Sequence, residues 1–414
     1  MERAETIRKS GKLAFRSTAL LVGLADLLLP QDASAFDWTI GKTKVNLGGY
    51  IKLDVLYSHF SDGPVAQSTT RDFYVPGGTP IVPTGGSEHS YLDFSAKETR
   101  LWLGTETDFG EHKLASYLEI DFISGQIPQT VVTSAAGATA TTGTKISTNA
   151  YNPALRRAYV TFDNWLLGQD WSTFQNLTAY PETLDFIGPT EGTVFVRQPQ
   201  VRYTNGGLQL SFETPETTVY PNRSAAAAKT DDNYWPDFIA RYNLKADFGD
   251  FAIAGVARML KDANTVGGAD DNAFGWGGTV SGKVPVLGKD DIRFMFSGGR
   301  GIGRYLAVGT FGDAVVNESN KLASVWVFDG FVAYRHVWNN EWRSNVIVSG
   351  ISGVSLSFLG PTSTRRTESV LANLLYSPVS KLTLGGEARF ASRTDIASDS
   401  GSLWRFQMSA KYYF

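Results

Sequence analysis

Leu403-Trp404-Arg405-Phe406-Gln407-Met408-Ser409-Ala410-Lys411-Tyr412-Tyr413-Phe414, the end of the chain, alternates without a break. In an extended strand Trp404, Phe406, Met408, Ala410, Tyr412 and Phe414 share one face, and Arg405, Gln407, Ser409, Lys411 and Tyr413 share the other. Apolar groups on one side and polar or charged groups on the other suit a strand that separates lipid from an aqueous lumen. A water-soluble sandwich also alternates, but its polar side faces outward, its strands are shorter, and it rarely gathers long loops at one end.

The rhythm runs back through the chain. Stretches of about ten residues with period-two hydrophobicity predict strands at Gly48–Ser58, Lys97–Thr107, Lys113–Phe122, Leu155–Phe162, Trp165–Asp170, Val196–Thr204, Leu208–Glu213 and Asp237–Phe248. They continue at Phe251–Leu260, Gly275–Val284, Asp291–Ser297, Ser324–Val337, Trp342–Val354, Glu368–Tyr376, Leu382–Phe390 and Leu403–Phe414. The links alternate in length. Short ones such as Phe109-Gly110-Glu111, Asp163-Asn164, Asn205-Gly206-Gly207 and Asn339-Asn340-Glu341 carry turn residues. Longer ones fall near 59–94, 123–154, 171–195, 214–236, 261–274, 298–323, 355–367 and 391–402. The expected fold is all-β: a transmembrane antiparallel β-barrel of about 16 strands with long external loops and short periplasmic turns.

Residues 1–35 read as a cleavable secretory signal peptide. Arg3, Arg8, Lys9, Lys12 and Arg16 make a basic start, Ser17–Leu29 is apolar, and Ala33-Ser34-Ala35 offers small residues for cleavage. Asp26 interrupts the apolar stretch, which falls short of the ~20 residues of a spanning helix. Residues 36–414 then form one barrel domain, since no change in composition marks a linker. The chain has no cysteine, so an exported barrel must rely on hydrogen-bonded closure and packing, and thiolate chemistry is excluded. The signal holds five basic and four acidic residues, so its removal moves the formal net charge from −3 to −4, with no basic excess to suggest nucleic acid.

Gly49-Tyr50-Ile51-Lys52-Leu53-Asp54 is similar to the first strand of the DcaP-like outer-membrane porins. The resemblance returns in Gly168-Gln169-Asp170-Trp171-Ser172-Thr173-Phe174 and Pro181-Glu182-Thr183-Leu184-Asp185-Phe186. It continues in Arg197-Gln198-Pro199-Gln200-Val201-Arg202-Tyr203, Glu213-Thr214-Pro215-Glu216-Thr217 and Pro236-Asp237-Phe238-Ile239-Ala240-Arg241-Tyr242. Together these motifs span about the first 200 residues of the mature chain, and the second half carries the barrel pattern without the family's. The resemblance implies a homotrimeric channel of the bacterial outer membrane that prefers small organic anions such as dicarboxylates and uses no cofactor. A terminal Phe414 is also what barrels of that membrane commonly present to their assembly machinery. The chain departs from some members in having only Phe36–Leu47, without heptads, where they carry a coiled coil.

The connection 171–195 joins the fifth and sixth predicted strands. In 16-stranded porins that loop folds into the lumen and narrows it, which makes it the candidate pore constriction; it brings Trp171, Glu182, Asp185 and Glu191. Opposing charge comes from the wall. Arg100 shares a face with Trp102 while Leu101 and Leu103 take lipid, Arg202 alternates with Val201 and Tyr203, and Arg241 with Ala240 and Tyr242. An arginine facing lipid costs roughly 2–4 kcal/mol at the bilayer midplane, so the same parity sends Arg157, Arg258, Arg293, Arg335, Arg343, Arg389 and Arg405 inward. Arg100, Arg157, Arg202, Arg241 and Arg258 are the candidate wall of a pore for anionic solutes. The inward acids Asp54, Glu106, Glu119, Asp121, Asp247, Asp329 and Glu387 could pair with them and leave a neutral lumen.

The function expected is passive diffusion of small hydrophilic solutes, with no catalytic or metal-binding residues. Two other classes compete with it. A barrel hydrolase needs an imidazole, which only His59, His89, His112 or His336 can supply, and no spacing among them fixes a triad or metal site. A structural or adhesive barrel needs no inward charge. The Ala/Thr/Gly-rich tract Val131–Thr148 and the glycine-rich Gly298–Gly303, which lacks the Lys-Ser/Thr ending of a phosphate loop, take no role.

Overall fold

Backbone groups in lipid have no water to bond, so a sheet that crosses a membrane must close on itself. The computed structural model describes residues 36–66, 69–83, 85–123, 130–133, 139–142, 151–266, 268–354 and 357–414. The signal reading and most of Val131–Thr148 lie outside the described residues. The first half of the barrel consists of Thr43–Phe60, a second strand in two segments (His89–Ser95 and Arg100–Asp108), Lys113–Asp121, Ala154–Phe162, Trp165–Trp171, Arg197–Asn205, Leu208–Glu213 and Asp237–Ala246. Gly249–Ala263, Asp270–Pro285, Asp291–Arg300, Trp326–Val337, Trp342–Val354, Thr364–Val379, Leu382–Asp395 and Ser400–Tyr413 complete a ring of 16. Every strand is antiparallel to its neighbours, and the ring shuts where Tyr50 to Phe60 pair with Tyr413 to Leu403.

Facing follows the alternation. Met408 is 64% exposed and Trp404 47%, whereas Arg405 between them is 2% exposed, so the apolar face is the outer one and the polar face looks inward. The second strand breaks between Ser95 and Arg100 because it spends four residues where its partner spends three between Asp54 and Tyr50. That bulge keeps both segments in register with one neighbour.

Several boundaries differ from the sequence reading. The connection expected at 261–274 is a hairpin, because Gly249–Ala263 and Asp270–Pro285 stay paired up to Ala263 opposite Asp270. The one expected at 391–402 shrinks likewise, with Thr394 opposite Ser400. Above the membrane the outer face of a ladder meets water in place of lipid and need not be apolar, so Lys261, Asp262, Asp270 and Asp271 show no apolar alternation although the strands go on and Asp262 is buried. The first strand begins at Thr43 rather than Gly48, and Phe36–Ile40 pairs with its start as a hairpin. Asp247, expected inward, sits exposed in a turn.

The lumen is not lined by polar groups throughout. Inward residues of the eleventh to fourteenth strands, Met295, Val327, Phe331, Ile347 and Leu371, form one buried apolar cluster with Phe174, Val194, Tyr305 and Leu306 from the connections. Outside, Thr218–Tyr220, Ala228–Lys229, Ala314–Val316 and Leu322–Ser324 make a small four-stranded sheet from the fourth and sixth external connections. At the periplasmic rim Asp290 accepts hydrogen bonds from the Tyr334 hydroxyl at 2.5 Å and the Val337 N–H at 2.8 Å, with His336 Nδ1 at 2.7 Å. These partners hold its carboxyl down at about 2.

Met408 occupies the middle of the outward run from Trp404 to Tyr412, and Val55 pairs with it across the closing seam. Met408→Arg is expected to cost about 2–4 kcal/mol, whereas the inward neighbour change Gln407→Arg is not subject to that lipid penalty. Denaturant unfolding in phospholipid vesicles measures both; equal costs would show that the facing is reversed or absent.

Candidate pore constriction

A peptide segment inside a barrel faces the same demand as one in a core: its N–H and C=O groups need partners. Residues 172–194, between Trp165–Trp171 and Arg197–Asn205, are almost all buried, and the Ser172 N–H donates to Val196 O to close the neck of the connection. Beyond the neck the segment meets wall after wall. Arg241 donates to Gln175 O, Asn176 Nδ2 to Ser281 Oγ at 3.0 Å, and Arg293 to Tyr180 O. Glu182 accepts from Arg343, Nε to Oε2 at 2.6 Å, with Nη2 on the other oxygen. Leu184 O takes Lys52 Nζ at 2.7 Å and Gln407 Nε2 at 3.0 Å. The Glu387 carboxylate receives the N–H groups of Leu184 and Asp185, and Arg389 Nη2 donates to Gly188 O at 2.6 Å. The connection therefore touches strands on opposite sides of the ring.

The acids of the connection have taken specific partners. Asp185 accepts from Tyr74 N at 2.9 Å and Ile187 N at 3.0 Å. Glu191 accepts from the Tyr74 hydroxyl at 2.6 Å and from Ser369 and Ser349 at 2.8 and 3.1 Å. Tyr74 belongs to the first external connection, so that one also enters the barrel. The sixth does too: Leu306 bridges Val194, and the Ala307 N–H donates to Thr193 O at 3.0 Å. The sequence reading sent a single loop inward and left these two outside. Their inward residues are polar, small or aromatic in no regular order, so no period marks them.

The five wall arginines separate into kinds. Arg157 Nε and Arg202 Nη2 sit 2.6 and 2.7 Å from the two oxygens of one carboxylate, Asp170, and all three are buried. Arg258 is buried between Asp313 at 2.9 Å and Asp237 at 3.3 Å and also donates to Gly301 O, so it anchors the sixth connection. Arg100 lies 3.9 Å from both Glu119 and Asp121. Arg241 meets only the carbonyl of Gln175 among the described residues. Trp171 is buried and meets Phe195 edge to face at 4.9 Å. Of the five, Arg157, Arg202 and Arg258 are held in buried ion pairs.

Two arginines escaped the sequence reading. Arg156 lies in a bulge, because Glu119 opposes Arg157 while the next residue, Ile120, opposes Leu155. Both neighbours thereby face inward, and Arg156 pairs with Glu119 at 2.7 Å and with Asp121. Adjacent arginines in a membrane strand are the signal, since strict alternation would send one into lipid. Arg197 stands 5.0 Å over the Trp171 ring, its Nη1 has no hydrogen-bond partner, and it lines a cavity of about 410 Å³ with Gln198, Thr214, Glu216 and Arg304. Parity alone would have sent it outward with Pro199 and Val201. The histidines are dispersed: His59 meets Ser90, His112 meets Asp163, and His336 meets Asp290.

A model of the DcaP outer membrane protein family matches residues 135–414. The chain belongs to that family. The match covers the whole second half, contrary to the expectation that only the first half carries family features, and Gly49 to Asp54 lie before it. No curated protein sequence matches. Among solved structures, the outer membrane channel DcaP of Acinetobacter baumannii is 22% identical with a TM-score of 0.73, over 92% of this chain and 100% of that one. The anion-selective porin from Comamonas acidovorans follows at 13% identity and a TM-score of 0.55, over 90% and 100%. A trimer form of OmpT from Vibrio cholerae is 10% identical with a TM-score of 0.50, over 90% and 99%. At these identities the solved structures speak to the fold. The family places the protein in the bacterial outer membrane as a porin channel.

Gly192 marks the tightest contact of the inward connection. It adopts φ +84°, and a Cβ there would lie 2.2 Å from the Gly330 carbonyl carbon and 2.5 Å from the Phe331 nitrogen. Gly192→Ala is expected to leave an assembled, heat-modifiable barrel but to push the segment off the wall and alter single-channel conductance. An unchanged conductance trace in planar bilayers would show that this segment does not shape the passage.

Proposed function

We propose that the channel passes small hydrophilic solutes with a preference for organic anions such as dicarboxylates, and that the connection 171–195 sets its narrowest section. Residues 1–35 act in this reading as the export signal. The observation that carries the anion preference is an imbalance in hydrogen bonding. Arg100, Arg197, Arg241, Arg335, Arg389 and Arg405 each keep a buried N–H without a partner, whereas among the described carboxylates only three buried oxygens lack one, both of Asp329 and one of Asp395. Asp185 and Glu387 are instead occupied by backbone N–H groups. The guanidinium groups that carry these donors bring positive charge to the wall, and a guanidinium matches a carboxylate in charge and in fork geometry. Low-dielectric walls focus that local field, while charges on distant loops are screened within a Debye length of roughly 8 Å at physiological salt. The net charge of the chain is then a poor guide to selectivity.

The test is the reversal potential in a planar bilayer under a potassium chloride gradient. Wild type is expected to favour chloride, and the combined Arg197→Gln and Arg241→Gln variant to lose that preference several-fold while remaining folded. A cation-selective wild type, or an unaltered ratio in the folded double variant, would overturn the reading.

The assembly proposed is a homotrimer, supported by the family and by a solved trimer form among the similar barrels. Native mass measurement in mild detergent is expected to show three copies. A monomer as the sole species, at concentrations where the barrel stays folded, would rule it out.

A further inference from the structure

Arg300 breaks the inward rule. Arg300 ends the eleventh strand on the same face as Phe296, whose side chain is exposed to the lipid side, while Ser297 and Gly299 between them face inward. It is exposed and makes no ion pair among the described residues. Its guanidinium instead lies 5.6 Å over the Trp326 ring.

The surroundings are unusual for a charge. In register, Arg300 stands opposite Trp276 on one side and Trp326 on the other. The two indoles meet edge to face at 5.5 Å across the strand that carries Arg300, and Phe328 stacks on Trp326 at 5.8 Å. Phe274, Phe296 and Phe328 extend the exposed aromatic surface around them. Outward aromatic rings of this kind sit at headgroup level.

Height agrees with that placement. Eight residues separate Arg300 from Ile292 at the periplasmic end of the strand. At about 3.4 Å per residue and a tilt of about 40°, the rise is about 21 Å, near the top of an apolar band about 25 Å tall. An arginine there snorkels into the interface and loses little. What it meets is the phosphate layer of the external leaflet, and a guanidinium binds phosphate with paired, charge-assisted hydrogen bonds.

The eleventh strand lies well away round the ring from the seam where Thr43–Phe60 pairs with Ser400–Tyr413.

We propose that Arg300, framed by Trp276 and Trp326, is an outward-facing binding site for a phosphate carried on the headgroup of an outer-leaflet lipid. The guanidinium supplies the charge and the two donors, and the indoles fix its direction and cover the sugar or glycerol flank of the headgroup. Arg366 provides the control: it is also outward and exposed, but Glu368 lies 4.0 Å from it and already balances its charge.

The experiment is native mass spectrometry of the full barrel in mild detergent with three additives taken singly: bisphosphorylated lipid A, phosphatidylcholine and inorganic phosphate. Folded state is checked first by heat-modifiable migration. Wild type and R366Q are expected to retain lipid A, R300Q to lose at least about tenfold of that occupancy, and R300K, which keeps the charge without the fork, to fall between. Loss by R300Q with phosphatidylcholine retained weakly and equally by all variants supports a phosphomonoester headgroup. Equal retention of lipid A by R300Q and wild type overturns the proposal. Displacement of the lipid by millimolar inorganic phosphate also overturns it, since the site would then be one for a free anion.

Discussion

Tyr50 to Phe60 and Leu403 to Tyr413 come from opposite ends of the chain, yet they must find each other, because an open edge in hydrocarbon leaves a row of peptide groups without partners. Each unsatisfied group costs several kcal/mol there, so an almost-closed ring is far worse than a closed one. Closure in turn forces alternation. Once each strand is bonded on both sides, its only freedom is which residues face lipid, and a shift of one position would exchange Met408 for Gln407 along the whole final strand. The Phe414 N–H still donates to Gly49 O at 3.2 Å, so the last residue extends the seam.

The same demand recurs inside. Among the described residues three connections enter the barrel, and their peptide groups are bonded largely by side chains of the wall. Arginines serve this well, since each offers five donors on a long stem. Arg241, Arg293, Arg389 and Arg405 each donate to a backbone carbonyl of an inward segment. Carboxylates do the converse, as Glu387 does for two successive N–H groups. Charge within the barrel is thus first a device for holding loops.

This division explains what could be read from residue order and what could not. Strand number, facing and closure were legible, because the lipid imposes one period on every strand from Thr43–Phe60 to Ser400–Tyr413. The inward direction of Arg100, Arg202 and Arg241 was legible for the same reason. Their partners were not. Arg157 and Arg202 share Asp170 through cross-strand register, and Arg258 meets Asp313 from a connection 55 residues away. Arg156 was missed because a bulge suspends the period locally. The hairpin ends near Ala263 and Asp395 were missed because, above the lipid, the outer face need not be apolar and the buried inner positions are acids, Asp262 and Asp395. The inward course of the first and sixth connections rests on contacts such as Tyr74 with Glu191 and Leu306 with Val194, which no local pattern announces.

A consequence follows for how charge in this lumen controls passage. Removing one member of a buried pair leaves the other uncompensated, at about 3–5 kcal/mol. Asp237 and Asp313 would both lose their arginine if Arg258 were neutralised, and Asp170 would be stranded if Arg157 and Arg202 were neutralised together, so changes at those positions alter folding before they alter selectivity. Arginines bound to neutral acceptors behave differently. Arg241 on Gln175 O and Arg197 above Trp171 strand no carboxylate when neutralised, and the loss is that of ordinary hydrogen bonds or ring contacts, about 1 kcal/mol each. In the proposed reading selectivity can therefore be altered through the second set at little cost to the fold, and Arg241 also holds the inward connection through Gln175 O. Ion-paired and neutrally bonded arginines look alike in residue order, but the first kind leaves a buried carboxylate short of a partner when it is neutralised.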